Sequence, residues 1–377
     1  VTSAQLAELM EAVRAALVRA PRLPDPVGGA LTGPDAAAGR TPAPAPALAP
    51  GQGQDQGRGR GRPGPGGERP MSPRGARPAG GPQVDGLVVV DKPAGLTSHD
   101  VVARARRILG QRRVGHAGTL DPMATGVLLL GLGRGTRLLG HLALTDKVYD
   151  ATIRLGRSTT TDDAEGEPLE DWPVDVDPER LARAMAALTG RIDQVPSSVS
   201  AVKVDGVRAY ARVRAGEQVE LAARRVTVHR FDLLARRSDG AAADPAGSDL
   251  DVRVGCSSGT YIRAIARDLG AALGCGGHLT ALRRTVVGPF GLARAVSLDT
   301  FAELGAGAVI PLAEAVAAGF ARRDVAGDAA VDVRHGRRLA PVGRPGTYGV
   351  FGPDGSVLAL VEESAEVVRS LVVFAPA

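Results

Sequence analysis

The chain has 377 residues, long enough for one large domain or two, with 44% hydrophobic and 23% charged residues and a formal net charge of +5. Two cysteines without a CxxC pair and six histidines without i, i+4 spacing offer neither a disulfide framework nor a zinc site. No apolar run reaches the length of a membrane span and no secretory leader opens the sequence, so a cytoplasmic protein without bound metal is expected.

Residues 1–20 read as an isolated amphipathic helix, with Leu6, Leu9, Met10, Val13 and Leu17 at helical spacing, Thr2 or Ser3 as cap and Pro21 as stop. Residues 21–84 are almost entirely Ala, Pro, Gly, Arg and Gln; they have too few branched or aromatic side chains to offset the entropy of ordering, and disorder is expected. The first residue is Val and Met71 sits just before the order-promoting sequence. Residues 1–70 are accordingly expected to be dispensable or to arise from an upstream start. This region also holds most of the excess charge. Residues 57–79 set six arginines against Glu68, and residues 1–56 set four arginines against five acids, which leaves residues 80–377 at only +1. Net charge is therefore weak evidence for a nucleic-acid partner. The local cluster Arg104, Arg106, Arg107, Arg112 and Arg113 is better evidence, masked in the sum by Asp162, Asp163, Glu165 and Glu167.

Order is expected from residue 85. Leu87-Val-Val-Val90 reads as a buried strand, and Asp91–Ser98 as a turn whose Ser98 caps a helix ending at Gly110. Gly126–Gly131 is strand-like, and Tyr149–Leu155 shows the two-residue alternation of a half-buried strand. Asp177 can cap a helix over 178–189. Strands are expected at 199–205, 225–234 and 249–256, and a helix at 260–273 with Ile262, Ile265, Ala266 and Leu269 on one face. From residue 321 the pattern changes to short strands broken by Gly, Pro and Asp-Gly turns. Strands outnumber helices without regular βαβ alternation, so the fold class expected is α+β around a mixed or antiparallel sheet. The divisions are a main domain over 85–300, a connector over 301–320 and a small β-rich module over 321–377.

Among candidate chemical groups, Asp121 stands out in Gly118-Thr-Leu-Asp-Pro-Met-Ala-Thr-Gly126. Two glycines and a proline can hold it in a sharply shaped, solvent-reachable loop. A loop Asp that merely closes a turn is the commoner case. Paired-aspartate chemistry lacks a second copy of the segment, and Gly131-Leu-Gly-Arg-Gly-Thr136 fits neither a phosphate-binding nor a dinucleotide-binding loop.

Five ordered segments are more specific. Gly86–Asp100, Val114–Val127, Lys147-Val-Tyr149, Gly259-Thr-Tyr-Ile-Arg263 and Leu282-Arg-Arg-Thr285 occur in the order and approximate spacing of the TruB family of tRNA pseudouridine-55 synthases, which this chain resembles over residues 86–290. The resemblance implies a pseudouridine synthase fold followed by a PUA-like RNA-binding module, cofactor-independent isomerisation of a T-loop uridine, tRNA as partner and no obligate protein partner. It assigns Asp121 as the catalytic carboxylate, as nucleophile at C1′ or C6 or as a base. Arg263 becomes its ion-pair partner and Tyr149 the aromatic placed for proton transfer at C5. Tyr261 and Leu282 are implied as walls of the uracil slot, His116 as the residue that replaces the flipped base in the RNA stack, and Lys92 and Lys203 as basic positions near pocket and RNA. Val199 stands where many relatives carry an aromatic residue. Two other functions share this fold: a non-catalytic RNA-binding or tRNA-folding protein, and a guide-RNA-dependent synthase working in a larger particle.

Overall fold

A computed structural model describes residues 83–197, 203–204, 207–208, 221–238 and 247–375. The helix expected over 2–18, nearly all of the 21–84 extension, and the strand expected at 199–205 apart from Lys203–Val204 lie outside the described residues.

The main sheet has ten strands. Its principal members in chain order are β1 (Gly86–Lys92), β2 (Val114–Ala117), β3 (Thr125–Leu132), β4 (Lys147–Leu155), β7 (Gly190–Gln194), β10 (Arg224–Ser238), β11 (Ser248–Cys256), β12 (Gly277–Val287) and β14 (Ile310–Pro311). They run in the order β14-β1-β3-β12-β4-β11-β10-β7, with β2 paired to β3 and β13 (Phe290–Gly291) to β12. The contact of β12 with β3 is parallel and every other pairing is antiparallel, which bears out the expected mixed sheet. Short hairpins join β5 (Arg157–Thr159) to β6 (Pro168–Asp171) and β8 (Lys203–Val204) to β9 (Val207–Arg208).

The sheet is covered on both faces, which explains the continuous apolar runs in β1 and β3. Val88, Val90, Leu128 and Leu130 point into one core, beneath helices α1 (Ser98–Ile108), α3 (Pro178–Ala187), α4 (Ile262–Ala272) and α5 (Leu298–Leu304). Leu87, Val89, Val127 and Leu129 point into a second core. It is closed by α2 (Leu139–Ala143), α6 (Leu312–Gly319) and the C-terminal strands through Phe351, Val357 and Leu360.

Two local expectations need correction. The N-cap of α1 is Thr97, not Ser98: Thr97 accepts from the Asp100 amide, and the Asp100 carboxylate accepts from the Thr97 amide, a reciprocal capping box. Strand β4 is buried on both faces rather than half-buried. Its alternating polar residues are neutralised inside the sheet, where Arg253 on β11 grips Asp150 with two bonds of 2.6 and 2.8 Å, and Thr152 donates to Asp251.

Beyond residue 300, α6 contributes Leu312, Ala315 and Val316 to the second core. A four-stranded sheet follows in the order β15 (Ala321–Asp324), β16 (Gly346–Phe351), β17 (Val357–Glu363) and β18 (Val368–Val373). The Asp354-Gly355 turn joins β16 to β17, with Gly355 at positive φ. Asp332–Gly336 spans the end of helix α7 (Gly327–Arg334), whose Ala330 and Val333 pack on this sheet.

Candidate active site

Asp121 lies in the loop between β2 and β3, and the two glycines that bound it have structural reasons to be there. Gly118 and Gly126 both hold positive φ, at 70° and 97°, and a Cβ on Gly126 would collide with the Arg284 carbonyl of neighbouring β12. The loop has little backbone pairing of its own, apart from bonds such as Ala124 N–H to the Asp121 carbonyl and Gly95 N–H to the Pro122 carbonyl. Side chains from other elements supply the rest. The Ser98 hydroxyl, freed from capping, donates to the Leu120 carbonyl at 3.3 Å and accepts from the Leu120 amide at 3.0 Å. The Lys92 ammonium donates to the carbonyls of Pro93, Leu96 and Pro122. Arg284 donates from Nε to the Val127 carbonyl at 2.8 Å and from Nη2 to the Gly118 carbonyl at 2.9 Å.

Arg263 meets Asp121 from the first turn of α4, its Nε 3.0 Å from Asp121 Oδ2. The two side chains differ in exposure, 7% for Arg263 and 37% for Asp121, so a fixed cation faces a carboxylate that a ligand can still reach. Arg263 Nη1 also donates to the Thr161 carbonyl and lies 3.4 Å from buried Asp163. Asp163 is fixed in turn by the Thr161 hydroxyl and the Glu165 amide. The start of α4 is set from β7: the buried Gln194 side chain donates to the Tyr261 carbonyl at 3.1 Å and accepts from the Tyr261 amide at 2.8 Å.

These groups surround a cavity of about 290 Å³ lined by Gly118–Asp121, Ala143, Lys147, Tyr149, Ser257, Gly259–Arg263, Leu282 and Arg284. Tyr149 and Leu282 come from adjacent strands, and Tyr261 from the residue preceding α4. Burial pushes the phenols of Tyr149 and Tyr261 above the usual tyrosine range, and the Arg284 charge opposes the shift at Tyr149. Lys147 is held at about 8, mainly by burial, with its ammonium on the carbonyls of Ala143 and Thr145. Among the described residues, no group of three or more His, Cys, Asp or Glu side chains is arranged to hold a metal ion.

Five residues singled out in the sequence therefore share one cavity: Asp121, Tyr149, Tyr261, Arg263 and Leu282. Three do not. Lys92 is fully buried and its ammonium is engaged by three carbonyls, so it braces the Asp121 loop rather than presenting charge to RNA. Burial lowers it to about 8. His116, on β2, lies outside the cavity lining and makes an edge-on contact with His99 at 5.3 Å between ring centroids. The Lys203 side chain lies outside the described residues.

Three residues that hold the site together were not singled out: Asp163, Gln194 and Arg284, the last inside the Leu282–Thr285 segment. Asp163 reads as part of an acidic stretch, Gln194 as an ordinary strand polar residue, and Arg284 as one of two adjacent arginines. Their roles depend on contacts across 67 to 166 residues of sequence.

An Arg-paired, accessible carboxylate beside an aromatic-lined slot, on a mixed sheet with a C-terminal β module, defines the pseudouridine synthase class. Solved structures titled "Crystal Structure of a Cbf5-Nop10-Gar1 Complex" and "Structure of H/ACA RNP bound to a substrate RNA containing 2'-deoxyuridine" contain chains of similar fold. The TM-scores are 0.59 and 0.58 at 27% and 25% identity, and each alignment covers 77% of this chain and 85% of the other. Family descriptions narrow the class. "TruB family pseudouridylate synthase (N terminal domain)" matches residues 106–262, "tRNA pseudouridylate synthase B C-terminal domain" residues 263–308, and "tRNA Pseudouridine synthase II, C terminal" residues 320–375. The tRNA pseudouridine synthase B of Thermobifida fusca (strain YX) is 62% identical over 77% of this chain and 99% of its own length. That of Mycobacterium sp. (strain KMS) is 58% identical over 78% and 97%. The chain belongs to the TruB family and is a tRNA pseudouridine synthase.

Proposed function

We propose that the chain converts uridine 55 in the T-loop of tRNA to pseudouridine, without cofactor or obligate protein partner, and that Asp121 is the catalytic carboxylate. The observation that carries this reading is the Asp121–Arg263 pair at the edge of a cavity walled by Tyr149, Tyr261 and Leu282. A uridine inside a folded loop cannot present its glycosidic bond to a recessed carboxylate. The base must leave its stack, at a cost of a few kcal/mol, and the two tyrosine rings and Leu282 supply apolar and aromatic surface to receive it. His116, on β2 two residues before Gly118, is assigned to the RNA stack that the base vacates.

In the reaction the N1–C1′ bond of the uridine breaks, the uracil turns, and a C5–C1′ bond forms. C5 loses a proton and N1 gains one, so nothing is consumed. Asp121 acts on the nucleotide as nucleophile at C1′ or C6, or as a base in a glycal route. Arg263 keeps the carboxylate oriented through the bond change. The Tyr149 hydroxyl is assigned to the proton transfer at C5.

Asp121→Asn keeps the shape of the side chain and removes its charge. With unmodified tRNA and purified variant, we expect tRNA binding to persist and pseudouridine formation at position 55 to be undetectable by base-resolution mapping. Substantial turnover by this variant would refute the assignment. One solved chain of similar fold comes from an H/ACA RNP bound to a substrate RNA, which is the observation behind a guide-RNA-dependent reading. Position-55 activity of the purified chain on tRNA alone excludes it, and also excludes a purely RNA-binding role.

A further inference from the structure

We propose that Arg284 is a positioning residue of this reaction: it ties the segments on either side of Asp121 to the point on β12 that pairs with Tyr149. The inference rests on the assignment of Asp121 and Tyr149 above.

Arg284 is 1% exposed and is the largest of the fully buried side chains. Among the described residues it has no carboxylate within ion-pair distance, whereas its neighbour Arg283 pairs with Asp91 at 2.7 Å. A buried guanidinium without a counter-ion is costly, and an apolar side chain of similar volume would ordinarily be at least as stable in its place. Stability alone therefore does not account for it.

The contacts suggest what does. Arg284 stands on β12 opposite Gly126 on one side and Tyr149 on the other; it and Arg283 form the short stretch where β12 joins β3 in parallel and β4 in antiparallel pairing. From there Nη2 reaches the Gly118 carbonyl and Nε the Val127 carbonyl, which lie before and after Asp121. Arg284 and Tyr149 are also register partners on β12 and β4, and both line the cavity. Asp121 and Tyr149 must act on one nucleotide from two strands, and Arg284 is the side chain that touches both supports. The glycines are fitted to it: a Cβ on Gly118 would lie 3.3 Å from Arg284 Nη1, and one on Gly126 would strike its backbone carbonyl.

The test uses the full chain and unmodified tRNA, with Arg284→Met to remove the charge and both donors, Arg284→Lys to restore charge and one donor, and Asp121→Asn in parallel. Misplacement by about 1 Å typically costs on the order of 100-fold in rate. We expect Arg284→Met to lower the single-turnover rate at saturating tRNA by about that factor, with the tRNA dissociation constant changed less than about threefold. Arg284→Lys should recover part of the rate. A merely structural residue would lower the melting temperature while leaving the rate per folded molecule at the wild-type value, and that result overturns the proposal. If Arg284→Met does not fold, Gly118→Ala presses on the same guanidinium from the loop side. Unchanged rates in both Gly118→Ala and Arg284→Lys would equally overturn it. An active Asp121→Asn enzyme defeats the underlying functional reading instead. An inactive one beside a fully active Arg284→Met enzyme defeats only this inference.

Discussion

Gln194 offers the sharpest test of how the site is held, because its amide replaces a strand neighbour for the residue that starts α4. Replacing Gln194 with Leu keeps the volume and removes both bonds to Tyr261. Among the described residues the Tyr261 amide has no other hydrogen-bond partner, so an orphaned N–H costs about 1–3 kcal/mol. The Tyr261 carbonyl still accepts from the Ile265 amide, so its loss is that of an ordinary bond, about 0.5–1.5 kcal/mol. Together these give roughly 2–4 kcal/mol, or about 5–15 °C in melting temperature at the 2–4 °C per kcal/mol typical of large domains. Gln194→Glu separates this account from simple loss of packing. Only the neutral carboxyl can both donate to the Tyr261 carbonyl and accept from its amide, so the folded protein raises the pKa of the new group above its unfolded value near 4.3. The stability it contributes is full below that unfolded value and is lost as pH rises through the raised one. Thermal melts should therefore place Gln194→Glu close to wild type at pH 5 and well below it at pH 8. A gap that does not change with pH, or a Gln194→Leu protein that melts with wild type, would refute the reasoning.

Ser98→Ala removes the hydroxyl that both donates to and accepts from Leu120, beside Asp121. It should cost about 1–3 kcal/mol and slow single-turnover pseudouridylation more than it weakens tRNA binding, checked by melts and rapid-quench assays on one preparation. His116 is held below the usual histidine range, first by burial and then by the charges of His99 and Arg284, and its Nδ1 is buried without a partner. The unfolded chain then binds a proton that the folded one refuses at pH values just under 6.5, so acidification through that window destabilises wild type. The melting-temperature difference between wild type and His116→Phe should shift against wild type from pH 7.5 to 5.5; a constant difference would show that His116 does not titrate in this way.

Much of the architecture was legible because burial leaves periodic traces. The apolar runs of β1 and β3, the Asp177 cap and the single apolar face of α4 all follow from local sequence. The misreadings share one cause. Thr97 and Ser98 are both competent caps, and only the distant Leu120 backbone decides that Ser98 points elsewhere. Alternation in β4 resembles a solvent-facing strand until Arg253 and Asp251 are placed across from Asp150 and Thr152. The cavity set was legible through ordered motifs, but Lys92 was not: a lysine in a motif resembles a phosphate contact, and its carbonyl partners come from the turn after β1 and, 30 residues on, from Pro122 in the Asp121 loop, which periodicity does not describe.

The same contrast shows how the site can be both open and rigid. In the proposed role Asp121 must be reachable, so its loop cannot be buried in regular structure, yet a freely moving carboxylate would forfeit the orientation that catalysis needs. The chain resolves this by lending the loop hydrogen-bonding partners from behind. Lys92 on β1 takes the carbonyls of Leu96 and Pro122, Ser98 on α1 takes both backbone groups of Leu120, and Arg284 on β12 takes the carbonyls of Gly118 and Val127. All three side chains are buried and rooted in regular elements. A loop that satisfies its polar groups in this way presents its front face to a nucleotide without reorganising, and the expense falls on desolvating a lysine and an arginine. On this proposal the site's precision is set by buried residues behind the loop rather than by groups facing the nucleotide.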